Sequence, residues 1–458
     1  MLENVNELGG KYERMTTDPV EKLVCRLAIP SIAIMLISAL YNMADTFFVG
    51  SLGTSATAAV GVVFALMAII QAIGYFFGHG AGNYISRELG AQNLENAQKM
   101  AATGFFSALI AGTLVAVLGL VFMEPLARFL GATETILPYT CDYMRFILIG
   151  APFMAASLML NNLLRFQSSA FYAMIGMVAG AVLNIALDPL FIFVFGMGVK
   201  GAALATMISQ IVSFCLLLVG CCRKGNIKIH LSNFAPSTSA YNNMLKGGFP
   251  SLCRQSLASI AAISLNQVAG SYSDAAIAAI SIVQRVTMFA GSALLGFGQG
   301  FQPVCGLNYG AKRYDRVKKA FWFCMRIATV ALVFLAVLGF IFAPNIIALF
   351  RKDDMEVIKI GTIALRLQCV AFPVLGWIIL MSMMMQTIGN VIPASILALA
   401  RQGLFLLPFL FILTPFMGIF GVQVCQPAAD LATFAISIPL GIRVLREMNS
   451  HKEADNFS

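Results

Sequence analysis

The sequence predicts an all-α polytopic membrane protein of twelve transmembrane helices, arranged as two six-helix lobes related by a pseudo-two-fold axis along the membrane normal. Three observations carry that expectation. Of the 458 residues, 59% are hydrophobic and only 11% charged, with a mean hydropathy of +0.83, whereas ordinary soluble domains are about 25% charged. The apolar residues gather into stretches long enough to span a bilayer, which takes roughly 20 residues. Finally, sliding the chain by 220 residues lays Pro30 on Pro250, Gly50 on Gly270, Gly78 on Gly298, Gly90 on Gly310 and Lys99 on Lys319 without a gap. The register persists, with Pro152 against Pro373 at 221 and Gly198 and Gly201 against Gly418 and Gly421 at 220.

The spans are expected at 23–49, 57–84, 101–123, 140–163, 169–195 and 199–222, then at 243–270, 276–302, 320–343, 359–388, 391–414 and 418–442. Six spans per unit give both lobes one orientation and put a substrate path between them. The domains are then a polar tail at 1–22, an N-terminal lobe at 23–222, a linker at 223–242 with Pro236 and several Ser and Thr, a C-terminal lobe at 243–442 and a tail at 443–458. The first 22 residues show no cleavable signal, so the first span is expected to start insertion.

A formal charge of +9 would suggest nucleic acid on a soluble protein, but here topology explains it and no nucleic-acid partner is expected. The expected loops and tails on the side of the N-terminus hold 19 of the 30 Lys and Arg, against five opposite, Arg128, Lys200, Arg351, Lys352 and Lys359. Positive-inside bias places both termini in the cytoplasm of a cell membrane. The other six, Arg145, Arg254, Arg285, Arg326, Arg366 and Arg401, fall within spans. All but Arg401 lie within two or three turns of a span end and are read as snorkelling. Arg401 is mid-span in the eleventh helix and Asp430 mid-span in the twelfth, at similar distances from the turn between them, so a buried ion pair is expected. Ten cysteines, single apart from Cys221-Cys222, show neither CxxC nor metal spacing and read as small apolar residues.

A charge inside a membrane marks a functional site by default. Asp188, in Asn184-Ile-Ala-Leu-Asp188-Pro189, sits in an apolar run, with Asn184 one turn before it on the same face and Pro189 freeing a backbone carbonyl. Asp45 has Tyr41 one turn before it, and the sixth span adds Thr206. The duplication fails at both acids, since Asp45 faces Leu265 and Asp188 faces Phe409. Spans one and five run outward and span six inward, so Tyr41, Asp45, Asn184, Asp188 and Thr206 share the outer half of one lobe. Two carboxylates close together in low dielectric cannot easily both ionise, so one is expected to hold a proton. The same oxygens could instead take Na+. No other metal and no cofactor is expected.

Pro30, Asp45-Thr-Phe-Phe-Val-Gly50, the run from Gly78 through Ser86-Arg87-Glu-Leu-Gly90, Asn184 through Phe193, and Gly198-Val-Lys-Gly201-Ala-Ala-Leu-Ala-Thr206 together resemble the multidrug and toxic compound extrusion (MATE) family, in its MepA-like and DinF-like branches. The resemblance covers nearly the whole chain. It implies a V-shaped pair of lobes that exports lipophilic, often cationic compounds by antiport with H+ or Na+, working as a monomer. It also implies that Tyr41, Asp45, Asn184, Asp188 and Thr206 form the coupling site, with Pro30 as the hinge of the first helix. Acids that some relatives carry in spans seven and ten are missing here.

His79 lies among Gly74, Gly78 and Gly82, and the run reads as close helix packing. Met381, Met383, Met384 and Met385 read as core or lipid-facing rather than as a substrate wall, and Arg87 and Glu88 as capping or snorkelling residues. The nearest rival function is a lipid-linked oligosaccharide or lipid flippase of the same superfamily, whose cavity needs many cations; few Arg lie mid-membrane. No HExxH, GxSxG or acid-histidine constellation supports an enzyme.

Overall fold

The computed structural model describes residues 2–351 and 354–456, so Lys352 of the charge count lies outside them. Among the described residues the chain is nearly all helix and contains no strand. A peripheral helix, α1 (Leu2–Thr17), precedes the N-terminal lobe of α2 (Val20–Gly50), α3 (Thr54–Gly90), α4 (Leu94–Val121), the short α5 (Met123–Phe129), α6 (Leu137–Phe166), α7 (Ala170–Pro189) and α8 (Val199–Cys222). The C-terminal lobe holds α9 (Thr238–Gly270), α10 (Asp274–Gly310), α11 (Tyr314–Ile341), the short α12 (Ala343–Phe350), α13 (Met355–Ile388), α14 (Val391–Leu399), α15 (Leu406–Met417) and α16 (Ile419–Asn456). The two-lobe, twelve-helix plan is therefore present, with α14 and α15 forming one span. Neither α5 nor α12 was expected, and 443–456 continues α16 as helix.

Eleven of the described helices are long and apolar enough to cross a membrane. The remaining span, α9, is long enough but carries Asn242, Asn243, Lys246, Arg254, Gln255 and Asn266. A helix that polar must turn part of its surface away from lipid, and α9 packs instead on α3 and lines the central cavity.

The duplication is visible in three dimensions. Gly198 and Gly418 both take positive φ (+56° and +60°), and so do Gln92 and Lys312 (+59° each). The lobes meet where α2 crosses α10, α3 crosses α9, and α3 crosses α10. Glycine makes the last crossing possible. A Cβ on Gly90 would stand 2.1 Å from the carbonyl oxygen of Leu307, and one on Gly310 would stand 2.0 Å from that of Arg87, so backbone meets backbone on both sides of the pseudo-axis. Close contacts between lobes fall at 28–35 of α2, 76–90 of α3, 244–248 of α9 and 296–310 of α10. All belong to the half of the bundle that carries the termini. Arg87 is more than a surface cap: its Nη1 donates to the carbonyl of Thr387 at 2.5 Å, closing the end of α13 in the other lobe.

The amphipathic α1 straps the same side. Lys11 Nζ donates to Ser169 Oγ (2.7 Å), the Gly225 carbonyl (2.6 Å) and Asn226 Oδ1 (2.7 Å), all attached to the N-terminal lobe. At the other end of the helix, the carbonyls of Met15, Thr16 and Asp18 accept from Asn308, Arg313 and Arg316 of the C-terminal lobe, a favourable match of cations to a helix C-terminus. Desolvation lowers the Lys11 amine from its ordinary 10.5 to about 8, with the Glu7 carboxylate opposing the shift. Lys11 therefore stays cationic at neutral pH and satisfies its three donors.

Lys11→Met removes that bond set, and the docked helix should lose about 1–3 kcal/mol. Hydrogen exchange of the 7–17 amides should accelerate about tenfold or more while α3 and α10 stay protected. Unchanged exchange in α1 would show that the helix is held by its apolar face alone.

Candidate functional site

Asp45 and Asp188 project from neighbouring helices, α2 and α7, and both are buried. They are close enough to interact electrostatically. Around Asp188 the helix changes character, because Pro189 removes a backbone donor and the next residues, Leu190–Val194, form a π-helical turn closed by Phe195 N–H on the Leu190 carbonyl at 3.0 Å. Such widened turns recur at functional sites. Gly201 then lets α8 lie directly on this turn; a Cβ there would be 2.8 Å from the Phe191 carbonyl. That approach delivers Thr206 to α7.

Asn184 connects the parts. Of its two amide orientations, one satisfies both ends: Nδ2 donates to Asp188 Oδ2 at 3.1 Å, and the amide oxygen accepts from Thr206 Oγ1 and the Thr206 N–H at 3.2 Å. Tyr41 lies within electrostatic reach of both acids and beside Thr206. Three helices, α2, α7 and α8, thus converge on one cluster in the half of the N-terminal lobe away from the termini. Asp45 Oδ1 and Asp188 Oδ1 nevertheless remain buried without a hydrogen-bond partner. Hard carboxylate, amide and hydroxyl oxygens of this kind suit a proton or Na+.

Sequence reasoning missed Tyr143. It is fully buried on α6, and its hydroxyl stands beside Thr206 within reach of Tyr41, Asp45 and Asp188. One signal was available, a phenol in the same outer half as the acids, but tyrosines are common near membrane interfaces.

The second lobe answers its one mid-span acid differently. Asp430 on α16 accepts from Arg401 Nε at 2.7 Å and from Gln426 Nε2 at 3.1 Å through Oδ1, and from Gln368 Nε2 at 3.0 Å through Oδ2. Arg401 sits in a second π-helical turn, Ala400–Phe405. Both carboxylate oxygens are satisfied.

A cavity of about 290 Å³ opens between the lobes, lined by α2, α3, α6, α7 and α8 on one side and by α9, α10 and α13 on the other. Tyr41 and Asn184 belong to both the cavity wall and the acid cluster. Arg254 does not snorkel but lines the cavity, because its face of α9 is turned inward. Arg165, counted among loop residues, is buried in the last turn of α6, with Nη2 donating to Asn162 Oδ1 at 2.5 Å and standing 3.5 Å from His79 Nε2. Gly74, Gly78 and Gly82 do pack against Leu158, Asn162 and Phe166 of α6, but His79 also lines the cavity, stacked on Tyr75 with ring centres 5.5 Å apart. Of the four methionines in α13, only Met383 reaches the cavity; the others are core. Pro30 is buried within a continuous α2, just before its contact with α10.

These features define a class, a polytopic membrane protein whose duplicated six-helix lobes enclose a cavity, with acids buried beside it in one lobe. The MatE family model matches residues 30–190 and again 250–412, and the chain belongs to that family, as the motifs around Asp45, Asp188 and Thr206 indicated. It is 28% identical to multidrug export protein MepA of Staphylococcus saprophyticus and to that of Staphylococcus aureus, over 91% of this chain and 94% of each relative. Among solved structures, the outward-facing conformation of a multidrug resistance MATE family transporter of the MOP superfamily has a TM-score of 0.90 at 28% identity, covering 95% of this chain and 98% of that one. A MATE protein in its bent conformation has a TM-score of 0.89 at 28% identity, covering 97% and 99%.

Arg401→Ala would leave the buried Asp430 charge unpaired, at a cost of about 3–5 kcal/mol. The melting temperature in detergent should fall, and a double variant, Arg401→Met with Asp430→Leu, should recover most of the loss. A double variant no more stable than the single one would refute the pairing as the source of the effect.

Proposed function

We propose that this chain is a secondary active exporter of small amphiphilic compounds, driven by H+ or Na+ entering at Tyr41, Asp45, Asn184, Asp188 and Thr206, with Tyr143 as a sixth member. One observation carries the reading: two buried carboxylates retain unpartnered oxygens, while Tyr41 and Asn184 connect their cluster to the cavity wall. A structural acid would be satisfied, as Asp430 is. The names of the staphylococcal relatives, multidrug export proteins, support export rather than catalysis. A 290 Å³ cavity also suits a small molecule better than a lipid-linked oligosaccharide.

In this reading both termini and the linker 223–242 are cytoplasmic, and the lobes 23–222 and 243–442 rock against each other in the cell membrane. The side sealed by Gly90, Gly310 and α1 is then the cytoplasmic one, so the cavity faces outward. Arrival of an external cation draws Asn184 and Tyr41 toward the acids, bends α2 at Pro30 and reshapes the cavity wall, releasing substrate. Coupling of this kind requires that each ligand weaken the other's binding.

Asp45→Asn and Asp188→Asn keep size and polarity but cannot exchange a proton or supply full charge to Na+. Each should reduce gradient-driven efflux from proteoliposomes to the protein-free rate while leaving the elution volume and melting temperature near wild type. Imposing pH and sodium gradients separately identifies the ion. Undiminished efflux in both variants would remove the cluster from the coupling mechanism.

A further inference from the structure

The charge of the central cavity has no role in the exporter reading above. Arg254 lines the cavity from α9, and no aspartate or glutamate lies among the lining residues. Its Nη2 donates to Ser251 Oγ at 3.2 Å, a neutral acceptor on its own helix. Behind the opposite wall, Arg165 is buried with Nε unpartnered and Nη2 shared between Asn162 and His79. Tyr75, which also lines the cavity, is within electrostatic reach of both guanidiniums. Among the described residues neither arginine has a carboxylate within 4.0 Å. The chain pairs Arg401 with Asp430 in the same membrane, yet it leaves these two without a counter-ion.

A guanidinium withdrawn from water is costly unless an anion meets it. At Arg254 a lipophilic cation, which the family resemblance implies as substrate, would meet like charge and no carboxylate among the lining residues, since Asp45 and Asp188 lie outside the lining. We propose that the cavity takes small amphiphilic organic anions, with a carboxylate, sulfate or phosphate on Arg254. Guanidinium geometry allows two parallel bonds to such a group. The apolar body of the ligand lies over Met35, Met154, Met177, Met288 and Met383, side chains that repack around varied shapes. Gln71, Gln255 and Gln299 supply neutral donors beside the headgroup. Arg165, one layer back, keeps the potential positive without touching the ligand.

The inference deepens the exporter reading by naming its substrate class, but equilibrium binding tests it without any ion gradient, so a failure of coupled efflux leaves it standing. Full-length protein in phosphatidylcholine nanodiscs is titrated with radiolabelled estrone sulfate, an amphiphilic anion, and separately with tetraphenylphosphonium, a lipophilic cation. The wild type should bind estrone sulfate saturably and more tightly than the cation. Arg254→Gln should weaken estrone sulfate about tenfold or more and tetraphenylphosphonium not at all, with the melting temperature retained; Arg254→Lys, which keeps the charge, should lose only part of the affinity. Preference for the cation, binding of neither probe, or an Arg254→Gln affinity equal to wild type would overturn the proposal. So would competition by added phosphatidylglycerol, which would assign the site to a lipid headgroup.

Discussion

Backbone contact between α3 and α10 at Gly90 and Gly310 is the constraint on which the rest of the arrangement depends. Two helices that meet without intervening side chains fix the lobes at one end, and a pair of lobes fixed at one end must diverge toward the other. The cavity is a consequence of that divergence. Arg87 closes the end of α13 across the same crossing, and α1 spans it from outside with Lys11 on one lobe and acceptor carbonyls on the other. Every one of these contacts is polar or backbone-mediated, and beside them Val20, Leu23, Val24 and Leu27 of α2 join the apolar core of the C-terminal lobe.

The two lobes share a backbone plan but treat buried charge in opposite ways. In the C-terminal lobe, Asp430 receives a guanidinium and two amides, which leaves no lone pair seeking a further partner. In the N-terminal lobe, Asp188 receives one amide, from Asn184, and both Asp45 and Asp188 keep an unpartnered oxygen. Incomplete satisfaction in low dielectric is costly, and a transporter can use that cost as affinity for an ion. Two π-helical turns mark these places, one just after Asp188 and one containing Arg401. Widening a helix re-aims its polar side chains and frees backbone groups.

Much of this was legible in the sequence because carboxylates stand out against an apolar background and because the 220-residue register ties each half to the other. Asp45, Asp188 and their i, i−4 partners needed only helical periodicity to be placed. Tyr143 was not legible, since a phenol can sit equally well at an interface, in a core or at a polar cluster. Arg254 and Arg165 were misplaced for a different reason. Position along a span predicts whether a long cation can reach an interface, but the direction in which its helix face points decides whether it does. The polarity of α9 held the missing information: a span that carries Arg254 and Gln255 near its middle, both on the cavity wall, cannot be ringed by lipid. The π-helical turns left no trace in composition or period.

In the proposed exporter, the electrostatics of the molecule bear on how substrate and ion would exclude each other. If the substrate were a cation, it and the incoming ion would compete through charge alone, since both would be drawn to Asp45 and Asp188. With Arg254 in the cavity and the acids outside its lining, an anionic substrate and an incoming cation attract, and charge would favour binding them together. Exclusion must then come from shape. Tyr41 and Asn184 are placed to provide it, because each belongs to the cavity wall and to the acid cluster, and neither can serve both in one position when an ion arrives. In the proposed exporter the coupling energy would be the cost of moving those two side chains, with α2 and α7 behind them, minus the attraction between the charges. A wall of this kind must be stiff, which is what the crowded packing of α6 and α8 against α7 supplies.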